Sequence, residues 1–297
     1  MTLHNTRPGE LGELVSLSLR QSLIKVTGMA PIAGYVERES ALHWDSVAQA
    51  GWDLVGTAID DESATLRDLS EIAQVWGEFS VPLPLIPSII AKRHSAAAAE
   101  HDGPVTFGIH TQTVAPGTSM AVFGQWKDIA IAISLGEQNA GLRSVDGPVA
   151  SDFAPTLLSA EIPFSTAISA AAAAEIAVLW ASEASGISTR AVREAVAYAK
   201  QREQFGKPIG SFQAIKHHLA NAHTAAEQAQ TGAIWGSLDT DNALRCSLHS
   251  FNSSIKAIEL AIQVHGGLGF TWEMGIHFYL RHVVALRELV SGLRPTA

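Results

Sequence analysis

From about residue 164 to the C-terminus, apolar side chains recur at three- and four-residue spacing, and every interruption is short. Ile176, Leu179, Trp180, Ile187, Val192, Ala195 and Val196 trace one face of a first helix. Ala214 to Leu238 reads as a second helix. Asp241 to His265 reads as a third, with Ile255, Ile258 and Ile262 on one stripe, and His277 to Val290 as a fourth. Short connections favour antiparallel neighbours, so residues 164–297 are expected to form a four-helix bundle.

The rest of the chain falls into two parts. Residues 9 to 101 read as helices, which sets an N-terminal helical domain at 1–102. Leu14, Leu17, Leu23 and Ile24 start an amphipathic pattern, and Leu66, Leu69, Ile72, Ala73, Val75 and Trp76 make another stripe. Val81 to Pro87 should break the helix, because proline removes donors and fixes φ. Residues 103–163 change character. Val105 to Ile109 is β-rich, Ile129, Ile131 and Ile133 alternate with alanines, and Asp146-Gly147 signals a hairpin turn. This predicts a reduced β domain of four or five strands inside a mainly α fold.

Composition narrows the class of partner. Hydrophobic residues are 47% and charged residues 16%, which argues against disorder and leaves apolar surface to bury against partners. A net charge of −9 argues against nucleic acid, whose phosphates select basic surfaces. The single cysteine, Cys246, cannot form an internal disulfide and fits a reducing cytoplasm. Residues 1–13 show no signal-peptide pattern. Ile168 to Trp180, the most apolar run, is too short to span a bilayer and contains Glu175. No His, Cys, Asp or Glu cluster has metal-site spacing. The expectation is a cytoplasmic oligomer with no membrane span and no metal.

Two segments carry chemistry. In the first, Tyr198 to Gln213, a helix bearing Arg202 runs into a turn at Gly206 and Pro208, and a second helix starts with Ser211 placed as its cap. The Arg202 guanidinium is a permanent cation whose planar fork fits phosphate oxygens. The competing reading is a basic residue capping a helix C-terminus against the macrodipole. The second segment is Gln263-Val264-His265-Gly266-Gly267, where a helix stops and two glycines bare the backbone to close approach. Its competing reading is an ordinary helix stop. His265 continues the Ile255, Ile258 and Ile262 stripe, so it reads as a packed side chain. Glu183, on an apolar stripe, reads as a structural ion pair.

In order and spacing, the REQFGKPIGSFQAIKH run and the later AIQVHGGLGFTWEMGIHFYLRH run resemble the C-terminal bundle of the acyl-CoA dehydrogenase family. His43 to Trp52 and Ala73 to Phe79 with Pro82 and Pro84 resemble the family's N-terminal helices. The resemblance implies FAD as cofactor, contacted across a subunit boundary by Arg202, Glu203, Gln204, Phe205, Phe212, Gln213, Gln263, Val264, His265, Gly266 and Gly267. It implies α,β-dehydrogenation of an acyl-CoA with electrons passed to an electron-transfer flavoprotein. Glu273 resembles a family glutamate with a structural or cofactor-adjacent role.

Two departures from the family pattern shape the expectation. The flavin-side T-E-P-x-x-G-S-D loop is missing from the short β segment, and the context of Trp126 does not match the family's flavin tryptophan. The position of the usual catalytic glutamate is Val290, which cannot take a proton. Some relatives carry the base earlier, at a place that falls on Ile176. Glu175 is one residue away, an offset of about 100° on a helix, and is the chain's candidate base. These features resemble the short β-type subunit of an actinobacterial α2β2 steroid-CoA dehydrogenase, paired with a longer acyl-CoA dehydrogenase subunit. A structural subunit without flavin contact and a self-sufficient homo-oligomer using Glu175 are the alternatives.

Overall fold

The computed structural model describes residues 6–27, 32, 34, 42–57, 63–136 and 141–293. Helices come first: α1 (Glu10–Thr27), α2 (Trp44–Gln49), α3 (Leu66–Phe79), α4 (Leu85–His94) and the short α5 (Ala96–Ala99). A strand region follows with β1 (Val105–Ile109), β2 (Ser119–Ala121), β3 (Ala130–Ala132), β4 (Ser134–Leu135), β5 (Leu142–Arg143), β6 (Val149–Ala150), β7 (Ala160–Ile162) and β8 (Ala167–Ile168). Then come α6 (Ala170–Gln201), the hairpin β9 (Glu203–Gln204) and β10 (Lys207–Pro208), α7 (Gln213–Leu238), α8 (Ala243–His265) and α9 (Ile276–Gly292).

Helix α3 starts in a capping box. Thr65 accepts from the Asp68 N–H, and the Asp68 carboxylate accepts from the Thr65 N–H at 2.9 Å. Its apolar stripe, Leu69, Ile72, Val75 and Trp76, is fully inside. α1 is pinned to it by Arg20, whose guanidinium donates to both oxygens of buried Glu78 (2.8 and 2.7 Å). The apolar pattern expected of α1 divides between two faces. Leu19 and Leu23 are in the core, whereas Leu14, Leu17 and Ile24 point outward at 60%, 54% and 49% exposure. The proline break is also shorter than expected. α4 already begins at Leu85, with Pro87 in its first turn, where a missing N–H costs nothing.

α3 crosses α6 at two glycines. A Cβ on Gly77 would lie 2.0 Å from the Glu183 carbonyl oxygen, and one on Gly186 would lie 2.0 Å from that of Gln74. Backbone meets backbone there, and Ser70 and Ser182 share a 2.8 Å hydrogen bond across the contact. Gly186→Ala is therefore expected to force the helices apart and cost about 1–3 kcal/mol by overpacking. Unfolding midpoints measure it, and an unchanged midpoint contradicts the crossing.

The six-stranded sheet has the order β5-β3-β1-β2-β7-β6, with β4 and β8 paired separately. β1 runs parallel to β3 (Val105 opposite Ala130) and antiparallel to β2. Among the described residues of 103–163 there are seven strands where four or five were expected, with β8 just beyond, because most are two or three residues long and too short to show a period. The chain bends at Asp146-Gly147, with Gly147 at φ +60°, but forms no hairpin turn there. The strands on either side of it pair with β3 and β7, at opposite edges of the sheet. Phe107 of β1 stacks on Trp180 of α6 at 5.7 Å, which seats the sheet on the bundle.

Candidate functional site

α6 ends at Gln201, and Arg202 is its C-cap. The Arg202 N–H donates to the Tyr198 carbonyl (2.8 Å), and its own carbonyl accepts from the Ile209 N–H (2.8 Å). The chain between these points is a tight hairpin with Gln204 opposite Lys207 and Glu203 opposite Pro208. Its two turn residues, Phe205 (φ +54°) and Gly206 (φ +77°), both have positive φ, the pattern that matches strand twist in two-residue hairpins. A phenylalanine in that region is strained, and this one is 93% exposed. Strain and exposure together single out this tip as a candidate contact. The predicted cap is corrected here: α7 starts at Gln213 behind Phe212, and Ser211 closes a 3-10 turn instead of capping the helix. The hairpin and that turn take up the residues the sequence reading gave to a simple bend.

The end of the bundle is rich in donors. The Arg202 guanidinium has no hydrogen bond or ion pair among the described residues, so it is not spent on the carbonyls at the end of α6. The Lys207 ammonium sits 4.5 Å over the Phe212 ring, which meets Phe205 edge-on at 6.2 Å. Phe212 cannot cap α7, so the first N–H groups of this 26-residue helix lack a side-chain acceptor. Gly210 holds the turn against α6, since a Cβ there would lie 3.0 Å from the Ala199 carbonyl oxygen.

The second segment arrives at the same place. α8 ends at His265, whose ring stacks on Tyr198 at 4.4 Å, one helical turn before Arg202. This stack brings together two elements nearly seventy residues apart in sequence. Gly266 takes φ +61°, ψ −142°, a conformation reserved for glycine, and a Cβ on Gly266 or Gly267 would point into open space. Gln263 is exposed, as is Gln213. Val264 and His265 face the core, so their side chains can only position the elbow. Glu203, Gln204 and Glu273 are exposed at the surface. The sequence reading missed the exposed apolar residues that follow the elbow: Leu268 (43%), Phe270 (71%) and Trp272 (45%). Large apolar residues inside a glycine-rich helix stop were the available signal.

His265 Nδ1 lies 2.8 Å from the Ala261 carbonyl. Burial pushes its pKa below the ordinary imidazole value, against smaller upward pulls from that carbonyl and from Glu194. On acidification the unfolded chain takes up this proton first, near 6.5, and the folded chain only at lower pH. Stability is thus full above about pH 6.5 and lost as pH falls through the folded value. His265→Phe retains a ring for Tyr198 but has no proton to take, so its stability should decline less between about pH 7 and 5. Identical pH slopes of the unfolding midpoint in the two proteins contradict this.

Glu175 lies near the start of α6, 27 residues before Arg202, or about 40 Å along a straight helix. Its carboxylate accepts from Arg93 Nε (3.1 Å) and faces His94 Nε2 (2.9 Å), and Arg93 also donates to the Gly56 and Ala64 carbonyls. Burial pushes the Glu175 pKa up, but the bonds and charges of His94 and Arg93 outweigh it and hold the group below the usual range. A proton-abstracting carboxylate needs the opposite shift. Val290 is 1% exposed in α9, and Glu183 meets His282 at 3.4 Å as a bundle contact. Near the end of α9, a cleft of about 420 Å³ opens toward the sheet between Met120, Phe153, Leu289 and Glu288. No helix among the described residues is long and apolar enough to cross a membrane, and none of their side chains form a metal-binding cluster.

Comparison with known proteins bears on the family and the fold. Residues 171–289 match the acyl-CoA dehydrogenase C-terminal domain. The acyl-CoA dehydrogenase IpdE2 of Mycobacterium tuberculosis is 29% identical over 276 residues, 90% of this chain and 86% of that protein. Among solved structures, the ChsE4-ChsE5 complex from Mycobacterium tuberculosis superposes with a TM-score of 0.74 at 15% identity, covering 97% of this chain and 95% of the other. The Tcur3481-Tcur3483 steroid ACAD G363A variant superposes at 0.73 and 20% identity, covering 93% and 92%. At these identities the two superpositions speak for the fold.

Proposed function

We propose that the chain is a member of the acyl-CoA dehydrogenase family and the shorter subunit of an FAD-dependent heteromeric acyl-CoA dehydrogenase, completed by a longer relative in an α2β2 assembly. The observation that carries this reading is the convergence of Arg202 and the Gly266-Gly267 elbow on one outward-facing end of the bundle, joined by the Tyr198–His265 stack.

The residues present fit a dinucleotide diphosphate. Arg202 offers a free fork for phosphate oxygens, the uncapped start of α7 offers N–H donors, and Gly266 and Gly267 let a ligand reach the main chain. Glu203, Gln204 and Gln263 are exposed there and offer polar contacts, as does Gln213 at the head of α7, while half-buried Phe212 offers a ring face. Val264 and His265 hold the elbow from behind. Phe205, Phe270 and Trp272 would exclude water once a partner covers them.

Bound FAD supplies the hydride acceptor for α,β-dehydrogenation of an acyl-CoA to the trans-2-enoyl-CoA. The α-proton must leave to a carboxylate, and neither Val290 nor the doubly paired Glu175 suits that task, so the longer subunit provides the base. The substrate is proposed to be a steroid-derived CoA thioester, in line with the likeness to a steroid ACAD, with electrons leaving to an electron-transfer flavoprotein.

Co-purification with the longer subunit tests the reading. The pair is expected to be yellow and to reduce a dye with acyl-CoA, while this chain alone does neither. Flavin and activity in this chain alone support the homo-oligomer with Glu175. A colourless, inactive pair overturns the proposal.

A further inference from the structure

The cleft between the end of α9 and the sheet lies away from the hairpin and the elbow. Trp272, just past the elbow, meets Phe278 in the first turn of α9 at 4.7 Å. Glu288 at the cleft is ten residues beyond Phe278, about 15 Å further along the helix. Neither Val290 nor Glu175 lines the cleft. Its walls are held by the chain itself. Gly292 packs so closely on the segment leaving β1 that a Cβ there would lie 2.7 Å from the His110 carbonyl oxygen, which fixes the end of α9. Arg281 clamps Phe153 at the mouth. It donates to the Asp152 carbonyl at 2.5 Å and to the Phe153 carbonyl, and its guanidinium lies 5.8 Å over the Phe153 ring.

The lining selects a kind of ligand. Met120, Phe153, Val284 and Leu289 offer apolar surface, and a volume of about 420 Å³ encloses most of a drug-sized molecule. Hydroxyls supply the polar contacts. Ser159 is 6% exposed, and its hydroxyl has no hydrogen bond among the described residues. Its main chain is fixed, because its carbonyl accepts from the Ser151 N–H (2.8 Å) and from Gln125 Nε2 (2.7 Å). A buried hydroxyl held in a cleft wall without a partner is satisfied by what enters the cleft. Buried Thr111 lines it too, with its hydroxyl 2.8 Å from that of Thr113. Charge is one-sided. Among the described residues no lysine, arginine or histidine lines the cleft, and Arg287 turns away to Asn252 at 3.3 Å. Glu288 is exposed at the rim and has no ion pair among the described residues. It stands near the C-terminal end of α9, where the helix carbonyls add partial negative charge. An acid is repelled here, whereas a neutral hydroxyl can donate to Glu288.

We propose that this cleft binds an uncharged, largely apolar ring compound bearing hydroxyl or keto oxygens, at a site separate from the reacting centre. Ser159 bonds its oxygen, Phe153 and Leu289 cover its rings, and Glu288 excludes carboxylates. The site needs no flavin, so its failure and that of the proposed function are read separately. The probes are androstane-3,17-diol and an androstane-17-carboxylate, titrated calorimetrically into the chain and into the assembled pair. The diol is expected to bind once per copy of this chain in both, and to leave dye reduction by the pair unchanged. Ser159→Ala should weaken it about 2- to 10-fold. Ala285→Trp, which fills the cleft, and Phe153→Ala, which removes an exposed wall, should each weaken it about tenfold or more. Unfolding midpoints check that both variants fold, and Phe153→Ala keeps the test decisive if the tryptophan does not fit. Glu288→Gln should strengthen binding of the carboxylate about tenfold or more and leave the diol within about threefold. No saturable binding of the diol overturns the proposal, as does binding that survives both wall variants. Loss of binding on assembly gives the cleft to the partner chain, and competition with acyl-CoA in the dye assay gives it to the reacting centre; either result overturns it as well.

Discussion

Lys92→Met should lower stability by about 3–5 kcal/mol, because it leaves a buried carboxylate without its partner. Lys92 Nζ donates to Asp53 Oδ2 at 2.6 Å and to the His101 carbonyl at 2.8 Å. The two side chains are only 2% and 3% exposed. Among the described residues Asp53 Oδ1 has no hydrogen-bond partner, so the carboxylate rests there on its contact with Lys92. Methionine replaces most of the lysine stem, so the loss comes from charge and not from a cavity. The pair also links three segments that share no regular element: the turn at Trp52–Leu54, α4, and the chain just before β1. Its removal should loosen the N-terminal helices together. Asp53→Leu added to Lys92→Met should recover a large part of the loss, since the stranded charge is then gone. Denaturant unfolding of the single and double variants measures both effects. A Lys92→Met protein within about 1 kcal/mol of the parent contradicts the account.

The legible and illegible parts of this fold differ in the range of the interaction that made them. The helices of the bundle were readable because a long period averages over many residues. Ala214 to Leu238 became Gln213–Leu238, and Asp241 to His265 became a short 3-10 turn followed by Ala243–His265. The strands were not readable in number, because a two-residue pair such as Val149–Ala150 is defined by its neighbour and not by its own sequence. α1 misled for another reason. Leucines on opposite faces of a helix are indistinguishable in composition, and only α3 decides that Leu19 and Leu23 go inside. The electrostatics were the least legible. Nothing near Glu175 in sequence announces Arg93 and His94, which are 82 and 81 residues away and turn a candidate base into an ion-paired anchor. At the proposed cofactor end, glycines and a cation were visible, but the positive φ of Phe205 was not, because phenylalanine rarely adopts it.

Arg202→Ala is the sharpest test of that end. The guanidinium is exposed and has no hydrogen bond or ion pair among the described residues, so the fold should not notice its removal. Unfolding midpoints are expected to stay within about 0.5 kcal/mol of the parent, as for other surface changes. Flavin retention should respond differently. A charge-assisted bond to phosphate contributes about 1.5–3 kcal/mol, which is roughly 10- to 100-fold in the flavin dissociation constant of the assembled pair. Arg202→Lys keeps the charge but loses the fork, and should fall between the two. Gly267→Ala provides an independent probe of the elbow. Its Cβ would meet nothing among the described residues, so stability should hold, yet the methyl group would stand where a ligand must approach the backbone. Both variants should therefore lose flavin while remaining folded. This combination separates a ligand-facing surface from a helix end that merely stops. Equal flavin content in the parent, Arg202→Ala and Gly267→Ala pairs would leave this subunit as a scaffold. Parallel losses of stability and flavin would instead show that both residues serve the packing of α6 against α8.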